Sequence, residues 1–252
     1  MRDDDRVTAT AGSSLCVVIV LAMEGHAFFD VAVSAILTAP LQSGERRTDI
    51  MAGEPQRQVN LLFPTVVRTV ILPEAAGINT RLMPAISDLR QRVPGEPPDS
   101  WSCSLYTTFK SAHDLHQQPG FEEVTAHIVH EANVFAGQLG LDLRNEPLSV
   151  RGSWINIYGP GHSQEVHVHA NSLISAVYYV KAPQGVPGLM IHSPFSEQML
   201  APPVAEVRPE NMTFDEVPAV EGEIILFRSW TRHSVRPNTA PGERISIAFN
   251  LS

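Results

Sequence analysis

The chain has 252 residues, is 43% hydrophobic and 18% charged, and carries a formal charge of −9, so it can bury a sizeable core and reads as one large domain or one domain with an extension. The acidic balance and the lack of a basic cluster exclude a nucleic acid or an anionic membrane as the main partner and leave a small polar substrate open. Only Cys16 and Cys103 are present, which excludes a disulfide framework and a cysteine-based zinc site and fits a reducing cytoplasm.

The opening "MRDDDR" lacks the positive bias of a secretory signal, and the run "LCVVIVLAM" has nine residues, too short for a bilayer span; it reads as a buried strand, and no membrane segment is expected. The polar, turn-rich "QSGERRTDIMAGEPQRQ" reads as a linker. Residues 1–55 are therefore expected to form an N-terminal extension or, with Met51 as an alternative start, to include an over-long beginning. The main domain is expected over residues 56–252, with the regular elements opening at "VNLLFPTVVRTVILP".

Two helices are predicted within a helical part spanning about 78–140. "NTRLMPAISDLRQRV" is helical if Pro84 falls in its first turn. In "FEEVTAHIVHEANVFAGQLG", Phe121, Val124, Ile128, Ala132, Phe135 and Leu139 recur at helical spacing, acidic residues occupy the first turn and Gly140 can end it. His127 and His130 read as surface or half-buried residues of that helix.

From about 148 to 252 the pattern changes. "SWINIY", "SLISAVYYV", "GLMIH", "EIILF" and "RISIAFNL" are short, rich in β-branched and aromatic residues, and separated by Gly or Pro turns. No intervening helices support a parallel βαβ sheet, so the fold class is α+β and β-rich, with helices preceding an all-β sandwich or barrel.

His167 and His169 are two apart, so on an extended strand both side chains face one way and can grip one ion. His233 follows the apolar "GEIILF" strand, five residues after Arg228. Bringing these positions together requires two strand ends side by side, which a double-stranded β-helix, the jelly-roll or cupin-like core, supplies. Imidazole suits iron, zinc, copper and nickel, and a facial set of three ligands with open positions is what non-haem Fe(II) oxygenases use. The alternative is that His162, His167 and His169 are polar loop residues; His162, in its "GPGH" turn, reads as structural or supporting.

In "RISIAFNL", Ile245, Ile247, Phe249 and Leu251 form one face while Arg244, Ser246, Ala248 and Asn250 form the other. The second face is small, polar and carries one fixed cation, as an enclosed face shared with a ligand would be. Arg244 offers a planar fork for a carboxylate, the natural partner of a dicarboxylate cosubstrate such as 2-oxoglutarate; a structural salt bridge is the alternative. "SWINIY" repeats the pattern: Trp154, Asn156 and Tyr158 share a face, and Asn156 and Tyr158 can donate to a bound acid, unless the aromatics are core.

Taken together, "WINIYGPGHSQEVHVHANSLISAVYYVKAP", "GEIILFRSWTRHSVRPN" and "ERISIAFN" resemble the 2-oxoglutarate/Fe(II) oxygenase family of the double-stranded β-helix dioxygenases, over roughly residues 60–252. The resemblance implies Fe(II) held near His167, His169 and His233, and 2-oxoglutarate held by Arg244 and Ser246; His233 and Arg244 are eleven positions apart, a spacing similar to that in the superfamily. Ala176 stands where the family has Gly and Arg228 where it has Pro. Most relatives carry His-x-Asp/Glu where this chain has His-x-His, with Glu165 and Asn171 nearby; either His169 replaces the carboxylate, or His169 is the first ligand and the next position is weak or water-filled. The implied activity is oxidation, typically hydroxylation, of a small-molecule C–H bond. Its rivals are a cupin-like dioxygenase or isomerase without cosubstrate, and a metal- or metabolite-binding sensor. Specificity is expected from the loops "LYTTFKSAHDLHQQPGF" and "QMLAPPVAEVRPENMTF", and a homodimer is the ordinary expectation for a soluble enzyme.

Overall fold

The computed structural model describes residues 57–195 and 202–252. The expected strand in "LCVVIVLAM", the N-terminal extension and most of the linker lie outside these residues. In chain order the described elements are β1 (Val67–Ile71), α1 (Ala75–Arg92), β2 (Tyr106–Thr107), a short 3-10 turn (Leu115–Gln117) and α2 (Glu122–Gln138). Among the described residues only strands follow: β3 (Val150–Tyr158), β4 (Gln164–His167), β5 (Ile174–Lys181), β6 (Leu189–His192), β7 (Phe214–Val217), β8 (Glu223–Arg228), β9 (His233–Val235) and β10 (Arg244–Leu251).

These strands form two sheets, ordered β1-β8-β5-β10-β3-β2 and β4-β9-β6-β7, and every described pairing between strands is antiparallel. The fold is α+β and β-rich with a jelly-roll core. The six-stranded sheet is covered on both faces, which explains why "EIILF" reads as continuously apolar instead of alternating. Ile224 and Leu226 of β8 join the core beneath α1 and α2, while Ile225 and Phe227 point the other way, into the core between the two sheets. Along β10 the predicted face of Ile245, Ile247, Phe249 and Leu251 packs on the helix side. The opposite face is left to line the space between sheets.

The helices differ from expectation at one point. Helix α1 begins at Ala75, and Pro84 lies inside it, not in its first turn. A mid-helix proline removes a backbone donor. Pro84 is exposed, so water can reach the freed carbonyl, while Ile78, Leu82, Ile86 and Leu89 bury the opposite side. Helix α2 buries Val124, Ile128, Ala132 and Phe135 as its spacing requires, and Gly140 follows with φ +71°. His127 is half-buried and His130 exposed. No helix among the described residues is long and apolar enough to cross a membrane.

Gly222 ties the second half of the chain to β1 and α1. Its N–H donates to the Tyr179 carbonyl at 2.8 Å, and its carbonyl accepts from Leu72 N at 3.0 Å. It sits at φ +81°, and a Cβ there would lie 2.1 Å from that of Ala75. Gly222→Ala should therefore cost about 1–3 kcal/mol, the range for a non-glycine residue held in a sparsely populated backbone region. Urea denaturation of the two proteins checks this, with a lower midpoint expected for the variant.

Candidate functional site

His167 closes β4 and His233 opens β9, and the two are register partners across an antiparallel pair. This is the side-by-side arrangement that the sequence requires. His169 lies past the end of β4, not on an extended strand as its spacing suggested. Its position comes from a backbone bond, His169 N donating to the Ser229 carbonyl at 2.9 Å. The ring centroids are 4.1 Å apart for His167 and His233, 5.2 Å for His167 and His169, and 5.0 Å for His169 and His233. One ring nitrogen from each lies within 4.8 Å of the others.

The other nitrogen of each ring is engaged. His167 Nδ1 lies 2.8 Å from the Glu165 carbonyl and His233 Nδ1 2.9 Å from the Thr231 carbonyl. A carbonyl oxygen only accepts, so both rings carry their hydrogen on Nδ1 and leave Nε2 with a lone pair. His169 Nδ1 lies 2.5 Å from Asn250 Oδ1, which also accepts from Ser175 Oγ at 2.9 Å. Burial, reinforced by the neighbouring imidazoles, pushes the His169 pKa down to about 4 and that of His233 well below the ordinary value. Burial lowers that of His167 as well. The cluster is thus a set of neutral bases with preset tautomers, a donor set that fits one divalent transition-metal ion.

Of the two candidates near the motif, Glu165 accepts from Ser102 N at 3.1 Å and does not belong to the group that can meet at one point, while Asn171 lines a neighbouring cavity. His162 accepts from Gly159 N at 3.1 Å and braces its own turn. If Asn250 orients His169, Asn250→Ala should weaken metal binding by about 10–100-fold, the usual loss for an outer-shell partner, without unfolding the chain. Competition against a chromophoric chelator measures this.

The histidines open into a cavity of about 320 Å³ between the sheets. The predicted inner faces of β3 and β10 line it, with Arg244 opposite Tyr158, Ser246 opposite Asn156 and Ala248 opposite Trp154. Arg244 is 1% exposed. Its Nη2 donates to Tyr179 Oη at 2.9 Å, and its guanidinium lies 4.7 Å from the Tyr158 ring centre and 4.8 Å from that of Tyr179. Its Nε and Nη1 have no partner. Among the described residues no carboxylate lies beside it, and a buried cation with unmade hydrogen bonds is costly, so these two donors fit the oxygens of a bound acid.

The remaining predicted residues divide. Ser246 is buried beside Arg244 on the same face. Burial raises the Tyr158 phenol pKa and keeps the group neutral. Asn156 lines the cavity, but its amide is already committed. With the amide oriented to satisfy its neighbours, the nitrogen donates to Thr107 Oγ1 at 2.7 Å and to the Ile155 carbonyl at 3.2 Å, and the oxygen accepts from Trp154 Nε1 at 3.3 Å. Its observed work is to hold the Trp154 ring, which stacks on His169 at 5.5 Å.

Sequence reasoning missed Gln164, Trp101, Tyr179 and the role of Asn250. Gln164 is buried, lines the cavity and has an unpartnered Nε2. Simple alternation would set Gln164 and His167 on opposite faces, and the register shift between them in β4 overrides it. Phe109, from the first expected specificity loop, stands 5.1 Å from Trp101 and edge-on to Trp154 at 5.0 Å. The second such loop is described only from residue 202.

Residues 152–250 match the family model described as "Putative 2OG-Fe(II) oxygenase". That stretch runs from β3 to β10 and contains the three histidines, Gln164, Tyr179, Arg244, Ser246 and Asn250, while both helices, Trp101 and Phe109 lie outside it. No curated protein matches the chain. Among solved structures, the non-heme alpha ketoglutarate dependent epimerase SnoN from nogalamycin biosynthesis is 16% identical with a TM-score of 0.53, over 73% of this chain and 75% of that one. The carbocyclase SnoK from the same biosynthesis is 16% identical with a TM-score of 0.52, over 74% and 79%. AviO1 from Streptomyces viridochromogenes Tue57 is 16% identical with a TM-score of 0.51, over 75% and 90%. At such identity the likeness is one of fold alone.

Proposed function

We propose that residues 56–252 form an Fe(II)- and 2-oxoglutarate-dependent oxygenase domain that hydroxylates or otherwise oxidises a small molecule, with His167, His169 and His233 as metal ligands. In this reading His169 replaces the usual carboxylate, because Asn250 holds its Nδ1 and leaves Nε2 for the point shared with the other two rings. The observation that carries the cosubstrate is Arg244: a buried guanidinium with two unmade donors in the same cavity as the histidines. Ser246 is assigned to the same carboxylate. Two structures of SnoN and SnoK type are described as alpha ketoglutarate dependent, which supports the assignment.

When bound, iron and 2-oxoglutarate supply the oxygen-activating redox chemistry. The chain's own contribution is positional. The carbonyls of Glu165 and Thr231 and the Asn250 amide fix three lone pairs. The Tyr158 and Tyr179 ring centres lie 4.7 Å and 4.8 Å from the guanidinium carbon, and Val177, Leu189 and Val235 give the cavity an apolar wall. A cosubstrate-free cupin-type enzyme would also use three histidines, but leaves Arg244 without a purpose. The test is succinate release: the purified protein with Fe(II), ascorbate, O₂ and 2-oxoglutarate should form succinate, and a chelator should stop it. Iron bound without any 2-oxoglutarate-dependent succinate would transfer the assignment to the cupin-type reading.

A further inference from the structure

A second cavity of about 470 Å³ adjoins the first and shares Phe109, Trp154, Ala170 and Asn250 with it. The rest of its wall includes Lys110, His113 and Arg151. The whole chain has 27 acidic residues against 18 lysines and arginines, yet among the described residues no Asp or Glu lines either cavity. Lys110 touches Asp99 at 3.2 Å, with side chains 57% and 96% exposed, and a pair that open to water is worth little and exchanges readily. Arg151 is exposed, and its Nε donates to Ser252 Oγ at 3.3 Å.

The position of this vestibule separates it from the Arg244 end. Asn250 is in the shared wall and Arg244 is six residues away on the same strand (250 − 244), about 20 Å at roughly 3.3 Å per residue. A five-carbon dicarboxylate gripped by Arg244 is too short to reach Lys110 and Arg151, so they are free to meet a second anion. Between the vestibule and the histidines stand two rings, Phe109 and Trp154, which suit an apolar or planar midsection.

Building on the metal and cosubstrate assignment above, we infer that the vestibule is the entrance for the primary substrate, and that this substrate is an anion. Its carboxylate or phosphate is met by Lys110 and Arg151, and its apolar part passes between Phe109 and Trp154 toward the metal. His113 lines the same wall.

The test is binding, read anaerobically by calorimetry on the Fe(II)-loaded protein with and without saturating 2-oxoglutarate. The probes are 4-phenylbutyrate, 3-phenylpropyl phosphate and the neutral 4-phenylbutanol. At least one acid should bind about tenfold or more tightly than the alcohol, and the better of the two tells which anion is preferred. Lys110→Gln/Arg151→Gln should reduce that acid to the level of the alcohol, and Arg244→Ala should leave its advantage intact. Equal binding of acids and alcohol, absence of binding by all three, or an advantage that survives the double variant and disappears in Arg244→Ala would overturn the inference. A wild-type protein that fails to bind 2-oxoglutarate but still prefers the acid would overturn the cosubstrate assignment and leave the anionic vestibule standing.

Discussion

His233→Ala should leave the protein folded and without iron. Wild type should carry about one Fe(II) per chain after desalting under anaerobic conditions, and the variant essentially none. The expected loss exceeds the ~10–100-fold typical of outer-shell changes, because a direct donor is removed from a set of three. His233 is 4% exposed, lies against Phe227 at 4.7 Å and pairs with His167 at the sheet edge, and no described carboxylate belongs to the group that could replace its nitrogen. His167→Ala should behave in the same way. His169→Ala discriminates between the two arrangements that the His-x-His spacing leaves open: loss of iron makes it a ligand, whereas retained iron with slower turnover makes it an orienting group. Circular dichroism of each variant controls for folding, and stoichiometric iron in His233→Ala would remove the metal site altogether.

Arg244→Ala should weaken 2-oxoglutarate binding by about ten- to a hundredfold or more while leaving iron in place. Hydrogen bonds to charged groups contribute on the order of 1.5–3 kcal/mol, and each ~1.4 kcal/mol is a factor of ten. Arg244 Nε and Nη1 are two such donors without a partner. Lysine should restore part of the affinity through its charge but not the planar fork. Anaerobic titration of 2-oxoglutarate into the Fe(II)-loaded proteins, followed by the metal-to-ligand charge-transfer band, gives the comparison. Stability offers an independent reading. Breaking a buried salt bridge costs ~3–5 kcal/mol, but no described carboxylate pairs with Arg244, so cosubstrate-free Arg244→Met should not lose that much in urea denaturation. Equal 2-oxoglutarate affinities in wild type and Arg244→Ala would make the residue a purely structural cation.

What the sequence by itself determined follows from the strict two-residue period of an extended chain. That period sorted "RISIAFNL" into Ile245, Ile247, Phe249 and Leu251 on one face and Arg244, Ser246, Ala248 and Asn250 on the other, the faces that the fold turns to the helices and to the cavity, and it put Trp154, Asn156 and Tyr158 on one face of their strand, which only the pairing of β3 with β10 set beside the latter. The identity of the clustered histidines was likewise readable, because few arrangements make three imidazoles useful at the mouth of apolar strands. Tertiary structure alone decided whatever depends on irregular backbone or on distant partners. A register shift in β4 turned Gln164 inward, and an exposed face let α1 carry Pro84 internally. Trp101 and Phe109 reached the cavity from a segment whose local sequence carries no period at all. Asn156, chemically able to bind an acid, was drawn to Thr107 and Trp154 because they were closer. Asn250 became the partner of His169 across 81 residues of sequence. Hydrogen-bond partners of this kind are set by the distance between folded elements, and local propensity contains no information about that distance.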